Sequence, residues 1–197
     1  RIYEKYLQGA ETAIYFSAIP DKNYFLAAEN GYPSMDYAAF TEAFREKMPY
    51  AKHIDLTPAL TLDCYYRTDI HWRQEALSDA ARLLAAEMGV TLTGTYETCE
   101  LETPFYGVYC GQSALPLRPD TLRYLENDVL RGCTVYDYET DSELPVYDLA
   151  AEEGNDAYAL FLSGSKSLLT ITNPQVAVQR ELIVFRDSFA SSLAPLL

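Results

Sequence analysis

The chain contains no apolar run near the roughly 18–20 residues needed to span a bilayer as a helix, and no basic-plus-apolar leader follows Arg1. It is poor in positive charge. Fifteen Lys and Arg stand against 29 Asp and Glu, leaving a formal net charge of −14 spread along the chain. A field of that sign repels phosphate backbones and anionic headgroups, which disfavours nucleic acid as a partner. Histidine occurs twice and tryptophan once. The four cysteines, Cys64, Cys99, Cys110 and Cys133, include no C-x-x-C pair. With so few histidines, a zinc site of familiar spacing is not expected. No internal repeat or low-complexity segment interrupts the sequence.

What is present is a chain of 197 residues, 49% hydrophobic and with 17 tyrosines. That length and composition argue for a packed core and against disorder, in one large domain or one domain with a lobe. Residues 12–19 (TAIYFSAI) read as a buried strand closed by the turn Pro20-Asp21-Lys22. "GYPSMDYAAFTEAFREKM" reads as a helix capped by Ser34 or Asp36, with Tyr37, Phe40, Phe44 and Met48 on one face. "AKHIDLTPAL" reads as a short strand ending at Pro58, and "HWRQEALSDAARLLAAEMG" as the clearest helix, stopped by Gly89. Strand, helix, strand, helix is the order of an α/β layer.

From about residue 92 the texture changes to short β-like runs, with one candidate helix, "PDTLRYLENDVL", among them. A hairpin around Thr103-Pro104-Phe105 would set Cys99 opposite Cys110. That pair could form a disulfide in an exported protein, and four free thiols is the alternative. The chain then returns to an apolar strand pattern, "RELIVF", followed by "RDSFASSLAPLL".

Two stretches carry candidate chemistry. In "ELIVFRDSF" a serine, Ser188, stands between a strand pattern and a helix start, where helix N–H groups could stabilise an oxyanion. No G-x-S-x-G elbow is present, and Asp187 or Ser188 could equally be an N-cap. In "YYRTDIHW", residues 65–72, Asp69 and His71 are two apart, so in an extended segment they project to one side. Asp69 could then hold the His71 Nδ1–H and leave Nε2 free to deprotonate a hydroxyl. The alternatives are a helix cap at Asp69 or a pair of metal ligands, for which no third ligand stands out. His53 reads as a strand histidine, and "AAEEGND" as a solvated loop rather than a glycosidase acid pair.

Together these stretches resemble the DHHW protein family, in which a Tyr-rich lead precedes Asp-x-His-Trp. "IPDKNYF", "HIDLTPAL" and "LIVFRDSFASSLAPLL" follow the same order. That family is grouped with the alginate O-acetyltransferase-like branch of the SGNH hydrolases, exported or membrane-tethered bacterial proteins acting on cell-surface polysaccharides. The resemblance is strong at 65–72 and 181–197 and thin across 90–180. Ile70 stands at the second position of the family's name. The order is also reversed relative to ordinary SGNH enzymes: Asp-x-His precedes the serine, and no Gly-Asp-Ser block exists.

The resemblance implies Ser188 as nucleophile, His71 as general base and Asp69 as its orienting acid. It implies Trp72 packing beneath the pair. Trp72, Tyr66 and Arg67 are also candidate substrate-binding residues, since Trp72 and tyrosines could supply stacking surface for sugar rings, although core packing is the expected fate of most tyrosines. Gly107 and Asn173 are candidates for the oxyanion-side donors that no motif places. The expected fold is a three-layer α/β/α, flavodoxin-like core in a single domain over 1–197, with a β-rich insertion near 95–175. The expected activity is acyl transfer on a bacterial extracellular polysaccharide, as O-acetyltransferase or acetylesterase. It would need no cofactor and no metal, and would have a membrane-bound acyl donor as a partner. A protein that keeps the fold to bind envelope glycans or assembly partners without turnover is the rival expectation. Both place the chain in the cell envelope or outside the cell, with a signal or anchor and a C-terminal part outside this sequence.

Overall fold

A computed structural model describes residues 1–177 and 180–197. The chain divides into two compact units, Arg1–Ala59 and Leu60–Leu197, and no described helix is long and apolar enough to cross a membrane.

In the first unit, β1 (Tyr15–Phe16) pairs in parallel with β2 (Lys52–His53), with α1 (Lys22–Asn30) and α2 (Tyr37–Lys47) between them. Pro20-Asp21-Lys22 is a helix start rather than only a turn. Asp21 Oδ1 accepts the Tyr24 N–H, and Gly31 ends α1 at φ +65°. Asp36 caps α2 through the Ala39 N–H at 2.9 Å. The expected strand at 12–19 is ordered as strand only over its central pair of residues. His53 accepts the Arg45 guanidinium on Nδ1 at 3.0 Å, as befits a strand histidine.

The second unit holds the site. Its helix α3 (Ser78–Glu87) buries Ala80, Ala81 and Ala85 and is followed by Gly89 at φ +75°. It begins seven residues later than "HWRQ" suggested, because Gln74 is drawn inward. Gln74 Oε1 accepts the Leu125 N–H at 2.7 Å, and its Nε2 donates to the Ser192 carbonyl at 2.7 Å. Satisfying that buried amide holds residues 73–77 in a loop with one 3₁₀ turn, Gln74–Ala76.

Strand β3 (Glu97–Phe105) pairs antiparallel with β4 (Asp120–Glu126), and α4 (Val108–Ser113) lies in the connection. The expected hairpin about residue 104 is therefore absent. Cys99 faces Tyr124, Cys110 lies on α4, and all four cysteines are free thiols. "PDTLRYLENDVL" is strand β4 plus a short helix α5 (Asp128–Gly132), not one helix. Leu122 and Leu125 are buried three apart, a helical spacing. A register break between Glu100 and Pro104 of β3 lets the strand turn both leucines inward.

Beyond them, β5 (Thr134–Asp137) is flanked antiparallel by β6 (Ser142–Leu144) and β7 (Leu169–Thr172). A core of Tyr66, Leu101, Phe105, Leu122, Leu130, Val135 and their neighbours up to Leu162 fastens these strands to the 65–72 segment. The last α-helix is α6 (Phe189–Leu193), followed by a 3₁₀ turn at Ala194–Leu196.

The architecture is thus mixed α/β, with described strands in sheets of two, two and three. "RELIVF" is a departure from expectation. Residues 180–187 form no strand, and Ile183 and Phe185 are 71% and 84% exposed. An apolar run becomes a strand only where a neighbour takes its N–H and C=O groups, and among the described residues this one has no ladder partner.

Candidate active site

The 65–72 segment folds back on itself. Tyr65 and Trp72 form an antiparallel bridge, and the Tyr66 N–H donates to the His71 carbonyl at 3.1 Å. Asp69 and His71 therefore lie at the tip of a tight excursion. The excursion is clamped from the side by Asp120. Its carboxylate accepts the Arg67 N–H at 3.1 Å, the Thr68 N–H at 2.7 Å and the Thr68 hydroxyl at 2.6 Å. Three donors on one carboxylate fix the backbone immediately before Asp69.

Asp69 is 2% exposed, and both its oxygens are used. Oδ1 lies 2.6 Å from His71 Nδ1 and also accepts the His71 N–H at 2.9 Å. Oδ2 accepts the Val108 N–H at 2.9 Å. Burial alone would raise the Asp69 carboxyl. The His71 ring and the two backbone N–H groups outweigh it and hold the group below its ordinary value. Asp69 starts no helix, which disposes of the cap alternative. The Nδ1 contact assigns the proton on that nitrogen to the bond with Asp69 and leaves Nε2 as acceptor.

Nε2 lies 2.7 Å from Ser188 Oγ. Ser188 occupies the N-cap position of α6, yet its side chain makes no capping bond. Asp187 supplies a turn bond instead, accepting the Phe189 N–H at 3.0 Å. A serine at a cap position whose hydroxyl turns to an imidazole has been diverted from the structural role its position offers. The order Asp69, His71, Ser188 is a continuous hydrogen-bonded series, with the hydroxyl at the exposed end and the carboxylate at the buried end. Such a series can move the serine proton onto Nε2 while the carboxylate stabilises the imidazolium that results.

Aromatic rings enclose the imidazole. Tyr158 stacks on His71 with centroids 4.0 Å apart and planes 13° from parallel. Phe189 tilts against it at 5.1 Å and also meets Trp72 edge-on at 5.1 Å. Trp72 is fully buried, so it supports Phe189 and offers no face to a ligand. Tyr66 is likewise fully buried, edge-on to Phe105 and Tyr158, and its substrate-facing role is corrected to a core role.

The remaining candidates are dispersed. The Arg67 guanidinium donates to the Arg118 and Pro119 carbonyls at 2.6 and 3.1 Å. It lines a polar hollow of about 340 Å³ with Asp63, Arg73, Asp120 and Arg123. Asn173 follows β7 and accepts the Gln175 N–H at 2.9 Å in a local turn. The Gly107 N–H is spent on Thr68 Oγ1 at 3.1 Å, so it is not placed as an oxyanion donor. What Gly107 provides is room: a Cβ there would stand 2.3 Å from Asp69 Cβ. Among the described residues, no group of three or more His, Cys, Asp or Glu could hold a metal ion.

Sequence reasoning did not single out Asp120, Tyr158, Phe189 or the Val108 N–H. Asp120 and Tyr158 lie 51 and 87 residues beyond Asp69 and His71 with no motif around them, so nothing in the sequence marks them.

No protein-family model matches the chain, and no curated protein matches its sequence. Solved structures do. A DHHW family protein from Eubacterium siraeum superposes with a TM-score of 0.77 at 21% identity, over 95% of this chain and 66% of its own. Bacillus cereus PatB1 superposes with a TM-score of 0.64 at 19% identity, over 93% of this chain and 69% of its own. Its form bearing a sulfonyl adduct gives the same TM-score and identity over 92% and 67%. This chain thus has the fold of a DHHW family protein and spans about two thirds of these neighbours' length.

Proposed function

We propose that this chain is an SGNH-type serine acyl-transfer enzyme of the DHHW family, with Ser188 as nucleophile, His71 as general base and Asp69 as its orienting acid. The observation that carries the reading is the unbroken hydrogen-bonded series from buried carboxylate to exposed serine hydroxyl. Its substrate class is an acetylated or acetylatable bacterial extracellular polysaccharide, with a membrane-bound partner as acyl donor and the cell envelope or its exterior as location. The same reading carries a three-layer α/β/α core in one domain with an insertion near 95–175. Five of the seven strands among the described residues, β3 to β7, fall between residues 97 and 172, in support of the insertion.

In the proposed reaction Ser188 Oγ attacks the acyl carbon while its proton passes to His71 Nε2. The bond from the acyl carbon to the donor oxygen breaks, and Nε2 returns the proton to that oxygen. A sugar hydroxyl, or water, then gives its proton to Nε2 and attacks the acyl-serine. The bond from the acyl carbon to Ser188 Oγ breaks and Nε2 returns the proton to Oγ, releasing the new ester or the acid and restoring Ser188.

The sulfonyl adduct of PatB1 suggests the probe. With phenylmethylsulfonyl fluoride, an Oγ–S bond forms at Ser188, the S–F bond breaks, and the serine proton goes to Nε2. Intact mass is expected to rise by one sulfonyl group in the wild type and not in Ser188→Ala. Release of p-nitrophenolate from p-nitrophenyl acetate should fall to background in that variant. Equal release by the two proteins would leave the rival, a glycan-binding or assembly protein without turnover.

A further inference from the structure

We infer that Tyr158 is the positioning residue of this site, clamping the His71 ring against the helix that carries Ser188. The inference rests on the acyl-transfer reading and deepens it.

Tyr158 makes two contacts that no other described side chain combines. Its ring lies nearly parallel on the His71 imidazole, 4.0 Å away. Its hydroxyl donates to Ser192 Oγ at 2.9 Å, and Ser192 in turn donates to the Phe189 carbonyl at 3.1 Å within α6. One rigid side chain thus spans from the base to the helix whose N-cap is the nucleophile. Burial pushes the Tyr158 phenol well above its ordinary value, so the hydroxyl remains a donor throughout the physiological range. The ring is itself held edge-on by Phe161 at 5.0 Å and Tyr66 at 6.4 Å, deep in the core. Gln74 joins the same helix at the Ser192 carbonyl, giving α6 a second tie to the 65–72 segment.

The chemistry gives the stack a further role. When Ser188 is deprotonated, His71 becomes a cation lying on the electron-rich face of a phenol. A cation over an aromatic face gains about 0.5–2 kcal/mol, more where water is excluded. Asp69 stabilises the same cation in the ring plane, at Nδ1, and Tyr158 does so from above. A residue that acted only as core filling would need neither the parallel ring geometry nor the bond to α6.

Three variants separate these roles. Tyr158→Phe keeps the ring and loses the hydroxyl, Tyr158→Leu loses the ring, and Ser192→Ala removes the hydroxyl's partner. Two readouts are taken on each: the rate of Ser188 sulfonylation by phenylmethylsulfonyl fluoride, and the low-field proton resonance of the Asp69–His71 hydrogen bond. Sulfonylation should slow roughly 3- to 30-fold in Tyr158→Leu, the range that a lost cation–π contact converts to. In Tyr158→Phe, which keeps the stack but loses the tie to α6, the slowing should be smaller, about 3-fold and matched by Ser192→Ala, with the low-field signal kept there and broadened in Tyr158→Leu. A Tyr158→Leu protein with wild-type rate and signal overturns the inference. If Tyr158→Leu does not fold, Ser192→Ala decides. A slowed reaction is the expected result, and an unchanged one refutes the tie to α6. Should the wild type itself take no sulfonyl group, the acyl-transfer reading falls. The low-field signal then tests the clamp alone.

Discussion

Gly107→Ala is the sharpest perturbation of the site that keeps every reacting group chemically intact. Gly107 has φ −73°, which any residue adopts, so its constraint is space and not dihedral freedom. An added Cβ would lie 2.3 Å from Asp69 Cβ, 2.5 Å from the Thr68 carbonyl oxygen and 2.7 Å from Asp69 Cα. Ordinary carbon contacts are about 3.5–4.0 Å, and two of these three atoms are backbone that no rotamer change can move aside. The chain must part, and it parts where Asp69 is held. Overpacking of this kind costs about 1–3 kcal/mol. The Gly107 and Val108 N–H bonds to Thr68 and Asp69 would stretch with it, at about 1 kcal/mol each.

A net loss of about 3–5 kcal/mol corresponds to roughly 6–20 °C in melting temperature for a chain of this size. Thermal unfolding by circular dichroism measures that, and the sulfonylation rate of Ser188 below the transition measures the displacement of Asp69. The rate should fall at least roughly tenfold, since losing about 1.4 kcal/mol of support for His71 suffices. Gly111→Ala is the control, because nothing lies within 4 Å of its added Cβ. It sits inside α4, where alanine should be neutral or stabilising by up to about 1 kcal/mol. If Gly107→Ala melts with the wild type and reacts at its rate, the close approach of Gly107 to Asp69 does not support the site.

Asp69→Asn should leave the fold standing but slow Ser188 acylation by roughly 10³–10⁴-fold, the cost of losing a triad carboxylate. A loss below tenfold in a p-nitrophenyl acetate assay would remove Asp69 from the mechanism. The acid limb of stability should also change in that variant. A carboxyl held below its ordinary value contributes stability above about pH 4, lost as pH falls through its folded value. Urea unfolding between pH 5 and pH 2.5 should therefore decline more steeply for the wild type than for Asp69→Asn, and parallel curves would contradict this. Asp120→Asn weakens a carboxylate that accepts three donors and should cost about 1–3 kcal/mol, read as a shifted urea midpoint. Thiol titration of the denatured, unreduced protein should return all four cysteines, and two fewer would indicate one disulfide.

Much of this protein could be read without coordinates wherever the information is local. The Asp36 cap, the alanine-rich face of α3 and its Gly89 stop depend on neighbours within one or two turns, and they appear where the pattern places them. The Asp-x-His spacing is equally local. Asp69 and His71 stand two apart on a bent tip, where the Asp69 carboxylate reaches both the His71 N–H and its ring. Failures came where partners are remote. Leu122 and Leu125 mimic a helix because a break in the opposite strand, about 20 residues away, changes which side they face. "RELIVF" carries the composition of a strand, but a ladder needs a second chain segment to complete it.

For the site, the sequence and its family resemblance pointed to Asp69, His71 and Ser188 as candidate acid, base and nucleophile but could not bring them together. The sequence separation of 117 between His71 and Ser188 is closed by the core around Tyr66 and Tyr158 and by the Gln74 and Tyr158 ties to α6. The tertiary structure also decided the supporting cast. Asp120 became a backbone clamp, Gly107 a space-maker rather than a donor, and Tyr66 and Trp72 buried supports rather than a sugar platform. Each role depends on which distant atoms fill the last few ångströms around a side chain, and residue type and local spacing do not contain that information.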